Sequence, residues 1–260
     1  MNRRDAILSQ VRLVPSLPSV VLKVRKLLHN PDVSFGELAE TIELDPGLTA
    51  NILRLANSAY FGFQRTIGSV REAIVRLGTQ RIYHLVLGLS VAPLARKPVR
   101  GYDLPAGDLW EHSVGVAVGA EQLAECLGLK CPDYVFTTGL LHDVGKIVLG
   151  TFVEVDAEPI WELAFEKNLP FDEAERRVLG LDHAEVGGIL LERWNLPPDM
   201  VEVGRWHHQP DQYESDPLVV DLIHVADALC LGAGMGAGKD GLHYRAQHCA
   251  MQRLGVTTKV

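Results

Sequence analysis

The hydrophobic residues of this chain recur at helical intervals along most of its length. Leu48, Ile52 and Leu55 follow one another on a single helix face. Behind Ser19, apolar side chains stand at the i, i+1, i+4, i+7 and i+8 spacing, namely Val20, Val21, Val24, Leu27 and Leu28. We find no segment that alternates apolar and polar residues, and no alternation of strands with helices. The pattern predicts an all-α protein.

Polar residues mark where several of these helices begin. Ser34 and Ser69 each stand three residues before a glutamate, Glu37 and Glu72, which is the spacing of a capping box. Asp45-Pro46 puts a capping carboxylate directly before a proline at the first helical position. We therefore predict a helix behind each of these three caps.

Proline and glycine divide the chain into parts. The stretch 93–107 is rich in both and is the best candidate for a linker. We predict an N-terminal helical lobe over residues 1–100, a second helical lobe over 101–231, and a glycine-rich loop with a C-terminal helix or tail over 232–260. Glycines at 236, 238 and 241 have the spacing of a dinucleotide fingerprint, but the preceding segment is helical in pattern, which argues against that site.

Composition places the chain among ordinary globular proteins. Of its 260 residues, 47% are hydrophobic and 22% are charged, and its four cysteines form no Cys-x-x-Cys pair. The charged start carries no secretory signal, and the longest uncharged apolar stretch, residues 83–95, is shorter than the roughly 20 residues of a spanning helix. We expect a cytoplasmic protein with reduced thiols and no membrane association.

Charge is distributed unevenly along the chain. The net charge is −8, but residues 1–100 carry 14 basic and 7 acidic side chains, whereas residues 101–260 carry 11 basic and 26 acidic ones. The two halves could dock on each other, or the basic half could bind an acidic partner. The overall negative charge and the lack of a basic stripe with aromatic residues argue against nucleic acid.

Histidine and aspartate supply the candidate chemistry. Six of the ten histidines lie between residues 112 and 224, and His142 is directly followed by Asp143. Imidazole and carboxylate together suit Mn, Fe, Zn, Ni or Mg. The candidate metal ligands are His112, His142, Asp143, His183, His207, His208 and Asp227. Their spread along the chain predicts a metal site assembled from several helices.

Asp143 is the best candidate for the centre of this site. Neighbouring helical residues point about 100° apart, so His142 and Asp143 do not grip one ion from the same face. A carboxylate can instead bridge two cations about 3.5–4 Å apart. Lys146, four residues after His142, should project from the same side. Because a lysine repels cations, we expect an anion such as phosphate between them.

Single histidines in helical proteins are more often structural than functional. We leave His29, His84, His243 and His248 in that class. His224 lies three residues before Asp227 on one helix face, so either of the two could face the site.

Several motifs, taken in order, resemble the HDOD family, a branch of the HD superfamily of metal-dependent phosphohydrolases. The resemblance runs from about Val14 to Leu231. In the front lobe it rests on residues 17–21, 45–49, 53–62 and 67–78. In the back lobe it rests on Glu-His-Ser (111–113), Gly-Leu-Leu-His-Asp-Val-Gly-Lys (139–146), Asp-His-Ala-Glu-Val-Gly (182–187) and His-His (207–208).

The resemblance implies a two-lobe all-helical fold and a signalling or regulatory role. It also implies that all seven candidate ligands fall on ligand positions of HD hydrolases, with two divalent ions as cofactors. By the same resemblance Asp143 is the bridging ligand and Lys146 a phosphate contact, and these two are the candidate catalytic residues.

One departure from the related cyclic di-GMP hydrolases narrows the expected chemistry. Those relatives carry a glutamate and a Gly-Tyr-Pro element after the paired histidines, whereas His208 is followed here by Gln-Pro-Asp-Gln-Tyr (209–213). We therefore do not expect cyclic di-GMP hydrolysis. Phosphatase or nucleotidase chemistry on a phosphorylated small molecule stays open.

Two hypotheses about function follow. In the first, the chain is a regulatory module that binds a protein partner through its N-terminal lobe, with residues 55–62 as a candidate surface. A Tyr-Phe pair at a helix end, such as Tyr60-Phe61 within this stretch, is more often part of the core. In the second, the chain is an active metal-dependent phosphohydrolase acting through Asp143 and Lys146.

Overall fold

The computed structural model describes residues 2–236, 238, 240–241 and 244–256, and it is helical throughout. Within this described part no β-strand forms, and the β-pairing that it contains is an isolated bridge between Val99 and Leu104. The all-α prediction is confirmed. No helix among the described residues combines the length and the apolar character needed to cross a bilayer.

Contacts group the chain into two units, Ser16–Pro93 and a second unit made of Met1–Pro15 with Leu94–Val260. This grouping describes packing and not independent folding, so the predicted bounds 1–100, 101–231 and 232–260 stay a prediction. Of the predicted tail, residues 237, 239, 242, 243 and 257–260, His243 among them, lie outside the described residues.

The unit Ser16–Pro93 consists of short amphipathic helices. They are α2 (Ser19–Leu28), α3 (Phe35–Glu43), α4 (Pro46–Ala56), α5 (Val70–Leu77) and the start of α6 (Thr79–Ala95). The predicted caps are confirmed, since Ser34, Ser69 and Asp45 accept hydrogen bonds from the backbone N–H three residues on, at 3.0–3.1 Å.

The stretch predicted to be a linker is partly helical and packed. Helix α6 runs through Pro93, where one hydrogen bond is missing because proline has no backbone N–H, and the helix ends two residues later. A 3-10 turn follows at Arg100–Tyr102, and the Tyr102 side chain is fully buried. The boundary between the two units falls at Pro93, at the start of the predicted linker, whereas the residues around Tyr102 are packed.

The second unit begins with α1 (Arg3–Val11) and contains the remaining helices. These are α7 (Asp108–Cys126), α8 (Val135–Leu141), α9 (Lys146–Val155), α10 (Ala157–Trp161) with a π turn at Glu162–Glu166, α11 (Phe171–Leu179), α12 (His183–Arg193), α13 (Pro198–Trp206), α14 (Leu218–Gly232) and α15 (His248–Leu254). An aliphatic cluster from α7, α8, α13, α14 and α15 forms its core and includes Val116, Val135, Val203 and Ile223. This core fixes α7, α8, α13 and α14, which are four of the five helices that carry or adjoin candidate ligands.

Candidate metal centre

Seven side chains converge inside the second unit. They lie on α7, at the end of α8, at the start of α12, at the end of α13 and on α14. None is more than 7% exposed. The set is His112, His142, Asp143, His183, His207, His208 and Asp227. The residues named as candidate ligands on sequence grounds are therefore neighbours in space.

His142 and His207 occupy equivalent positions, each at the C-terminal end of a helix. The Nδ1 atom of His142 lies 2.7 Å from the carbonyl oxygen of Gly139, and that of His207 lies 2.8 Å from the carbonyl oxygen of Gly204. Because a carbonyl oxygen only accepts, Nδ1 carries the proton in both rings. The Nε2 atom of each ring is thereby left to face the centre.

The rings of His112 and His183 are oriented in the same way. His112 Nδ1 lies 3.0 Å from the carbonyl oxygen of Met235. His183 Nδ1 lies 2.7 Å from Oε2 of Glu175, which also accepts the backbone N–H of His183. The hydroxyl of Tyr102 donates to the other oxygen of Glu175. Four imidazoles thus present Nε2 to a common interior point.

The two carboxylate oxygens of Asp143 face different imidazoles. Oδ2 lies 3.6 Å from Nε2 of His112 and 3.4 Å from Nε2 of His142. Oδ1 lies 3.5 Å from Nε2 of His183 and 3.7 Å from Nε2 of His207. A carboxylate with a separate set of nitrogens at each oxygen has the arrangement of a bridging ligand.

Asp227 and His208 add one side chain to each of the two groups that surround the oxygens of Asp143. Asp227 Oδ1 lies 3.0 Å from Nε2 of His112, on the first side. His208 Nε2 lies 2.6 Å from Nε2 of His183, on the second side. Two groups of side chains could each hold an ion: His112, His142 and Asp143, and Asp143 with His183, His207 and His208. Asp143 belongs to both.

The turn that carries Asp143 differs from the expectation that His142, Asp143 and Lys146 share one helix. Helix α8 ends before His142, and α9 begins at Lys146. Gly145 in this turn lies so close to α12 that an added Cβ would be 1.9 Å from the carbonyl oxygen of His183. This close approach requires glycine and brings Asp143 next to the start of α12.

Burial and neighbouring charges set the charge states of these side chains. Burial raises the pKa of Asp143, but the charge of Lys146 and the surrounding imidazoles outweigh it and hold that pKa well below its usual range. Burial likewise raises the pKa of Asp227, and His112 with His142 more than offsets this and lowers the pKa to about 2. Burial lowers the pKa of His142 to about 4. At neutral pH both carboxylates are charged and His142 is neutral. Burial lowers the pKa of His183, but Glu175 outweighs it and raises that pKa to about 9, so a cation bound there would displace a proton. Asp227 outweighs burial in the same way and raises the pKa of His112.

The residues present fit a divalent metal. Six buried atoms among them have no hydrogen-bond partner: Nε2 of His112, His142 and His207, Nδ1 of His208, and Oδ1 of Asp143 and Asp227. Each such atom costs about 1–3 kcal/mol if it stays unsatisfied. Neutral imidazole nitrogens and ionised carboxylates are the ligand types of Zn, Fe, Mn and Ni sites.

Lys146 is engaged differently from the sequence-based expectation. Its ammonium lies 2.6 Å from Oδ2 of Asp143 and 2.6 Å from Oδ2 of Asp240. The anion beside this lysine is therefore a carboxylate of the chain itself.

Sequence reasoning missed Glu175 and Asp240. Glu175 lies in the α11 sequence Phe-Asp-Glu-Ala-Glu-Arg-Arg (171–177), where nothing distinguishes it from its charged neighbours. Asp240 follows the glycine-rich run and has no motif of its own.

The sequence left open whether His224 or Asp227 faces the site, and the structure shows that Asp227 faces the centre. His224 uses both ring nitrogens on the backbone of His207 and Gln247 instead.

Known proteins resemble this chain in sequence and in structure. An HDOD domain protein of unknown function from Geobacter sulfurreducens is 30% identical, with a TM-score of 0.71 over 89% of this chain and 80% of that chain. A candidate phosphohydrolase from Shewanella amazonensis is 29% identical, with a TM-score of 0.71 over 88% of this chain and 81% of that chain.

A longer protein also resembles this chain in sequence. An uncharacterized protein from Treponema pallidum (strain Nichols) is 28% identical over 221 residues, which are 82% of this chain and 42% of that protein. The chain thus spans less than half of this relative. The model of the HDOD domain matches residues 14–210, which include Lys146 and all of the seven converging side chains except Asp227. This chain belongs to the HDOD domain family.

Proposed function

We propose that this chain is a regulatory module built around a metal centre that holds two divalent ions. The observation that carries the proposal is the set of buried imidazole nitrogens and carboxylate oxygens that lack hydrogen-bond partners and surround Asp143. A bound cation would satisfy these atoms together. Such a large group of unpaired polar atoms inside a fold otherwise has no compensating interaction.

The proposed ligands divide between the two oxygens of Asp143. One ion would be held by His112, His142, Asp143 and Asp227, and the other by Asp143, His183, His207 and His208. The imidazole-rich set favours Fe, Mn, Zn or Ni over Mg, which prefers oxygen ligands. When bound, these ions supply Lewis acidity and lower the pKa of bound water.

Burial of the centre favours regulation over rapid turnover. The ammonium of Lys146 is 5% exposed and is already paired with two carboxylates of the chain. His208 is the most exposed of the seven converging side chains, at 7%. A centre that is closed in this way is suited to hold the fold in one state, or to respond to a ligand that opens it.

Metal content tests this proposal. Protein purified without chelator should contain about two divalent ions per chain by elemental analysis. Chelation should then lower the melting temperature, since the ions bind the folded chain and not the unfolded one. Purified protein that contains no metal, and that takes up none from Mn, Fe, Zn or Ni solutions, would refute the proposal.

Phosphohydrolase activity is the second candidate function. Two cavities, of about 500 and 440 Å³, meet at His208 and could admit a small phosphorylated molecule. The Shewanella amazonensis neighbour, a candidate phosphohydrolase, has the same fold. In this hypothesis Asp143 and Lys146 are the catalytic residues. A panel of phosphate esters and nucleotides with added Mn or Fe would detect this activity.

We propose that a protein partner binds the N-terminal lobe at an aromatic and basic surface. This surface consists of Tyr60, Phe61, Phe63, Arg76 and Arg81. The rings of Phe61 and Phe63 stack 6.2 Å apart. The guanidinium of Arg81 lies 5.6 Å from the Phe61 ring centre, and that of Arg76 lies 5.4 Å from the Phe63 ring centre. The positive charge of residues 1–100 favours an acidic partner segment.

A double substitution tests this surface. Phe61→Ala with Phe63→Ala should weaken binding of a poly-glutamate peptide at low salt by about tenfold, because both arginines lose their ring platforms. Fluorescence anisotropy measures this. Leu22→Ser, at an exposed site in the same unit, should have no effect. Equal affinity of the double variant and the wild type would exclude the surface.

A further inference from the structure

Lys146 lies between two carboxylates at the edge of the proposed metal centre. Asp143 and Asp240 each place Oδ2 2.6 Å from its ammonium. The ring of Tyr102 lies 5.5 Å from the same ammonium and closes another side. A buried ammonium needs such anions, because an isolated charge in the interior is strongly disfavoured.

Asp240 pairs with Lys146 through one carboxylate oxygen, but its other oxygen has no partner. Its Oδ1 atom is buried and has no hydrogen-bond partner. A buried acceptor without a donor reduces stability by about 1–3 kcal/mol. Asp240 is therefore a weaker partner for Lys146 than an anion whose oxygens all find donors or cations.

The segment that carries Asp240 also rests directly on the centre. The carbonyl oxygen of Met235 contacts His112 at 3.0 Å. Gly236 has a φ of +62°, and a Cβ there would lie 2.5 Å from the Cβ of His112. On the other side, the ring centre of Tyr244 lies 4.5 Å from that of His208. The described residues of this segment thus contact ligand candidates of both proposed ions.

We infer that Asp240 occupies the position on Lys146 that an oxyanion ligand, such as a phosphoryl group, takes when it binds. The ligand and Asp240 then compete for the ammonium of Lys146, and in the resting chain Asp240 blocks ligand binding. The inference rests on the proposed function, in which a phosphorylated molecule is the candidate ligand, and extends it by naming the competing residue. A phosphoryl group has more acceptor oxygens than a carboxylate, so it can replace Asp240 on Lys146 and also face the metal side.

Titration with inorganic phosphate tests the competition. Calorimetry is performed on wild type, on Asp240→Asn and on Glu214→Gln, each with and without saturating Mn²⁺. The Glu214 variant makes the same charge change at an exposed site. If Asp240 occupies the position about nine-tenths of the time, Asp240→Asn should bind phosphate about tenfold more tightly than the other two.

Equal phosphate affinities in all three proteins would overturn the inference, as would a lack of phosphate binding in all of them. Hydrogen exchange on the wild-type chain gives a second test that needs no variant. Saturating phosphate should accelerate exchange at the amides of Asp240 and Gly241, and unchanged exchange contradicts displacement. Metal content of the same samples tests the proposed function separately, because the phosphate comparison is also made without metal.

Discussion

Asp143→Asn should lower the metal content of this chain to less than about one tenth of the wild-type value. The substitution keeps the shape of the side chain but removes the charge that both proposed ions share. Loss of a group that only orients a ligand typically costs 10–100-fold in affinity, and a direct ligand to two ions should cost more. Elemental analysis after dialysis against metal-free buffer measures the effect. Any phosphate-ester turnover should disappear with the metal.

Asp211→Asn is the matched control, since it makes the same chemical change on an exposed side chain. It should keep the wild-type metal content. Helical circular dichroism should be unchanged in both variants, which separates loss of metal from loss of fold. Asp143→Asn protein with full metal content would show that Asp143 is not the shared ligand. Turnover that survives in that variant would exclude the proposed hydrolytic mechanism.

Glu175→Gln should weaken metal binding by about 10–100-fold although Glu175 is not itself a proposed ligand. Its carboxylate accepts the Nδ1 proton and the backbone N–H of His183, and the hydroxyl of Tyr102 donates to it. An amide replaces one of these acceptor oxygens with a donor. The imidazole of His183 then loses the interaction that keeps its Nε2 aimed at the centre. Competition with a fluorescent chelator measures the change in affinity.

Glu173→Gln provides the comparison on the same helix. Its carboxylate pairs with Arg177, and its side chain is 37% exposed. This variant should bind metal as the wild type does. If the two variants bind metal equally well, Glu175 has no role in orienting His183.

Helix starts were readable from the sequence because capping is local. Ser34, Ser69 and Asp45 each need only a backbone N–H three residues away, so the pattern alone identifies the interaction. Pro93 shows the opposite case. Its sequence context suggested a linker, but a proline near the end of a helix removes a single hydrogen bond, and α6 continues past it.

The seven converging side chains were also identifiable from the sequence, because they stand in motifs that resemble those of the HDOD family or recur near them. Their division between the two oxygens of Asp143 was not predictable. That division depends on the turn after α8, where Gly145 allows close contact with α12. The sequence predicted that His142 and Lys146 lie on one continuous helix, whereas a turn between α8 and α9 separates them.

Glu175 and Asp240 could not be identified from the sequence for a further reason. Each acts through one partner that is distant in the chain or in a different element, His183 for Glu175 and Lys146 for Asp240. A single acidic residue in a charged helix or beside a glycine-rich run resembles many exposed residues. Only the fold shows that both are buried beside the centre.

Anomalous diffraction from crystals of the metal-loaded chain tests the central proposal most directly. Data collected at the absorption edge of the bound metal should give two peaks about 3.5–4 Å apart, one next to each carboxylate oxygen of Asp143. His112, His142 and Asp227 should surround one peak, and His183, His207 and His208 the other. A single peak, or peaks that do not contact Asp143, would contradict the two-ion centre.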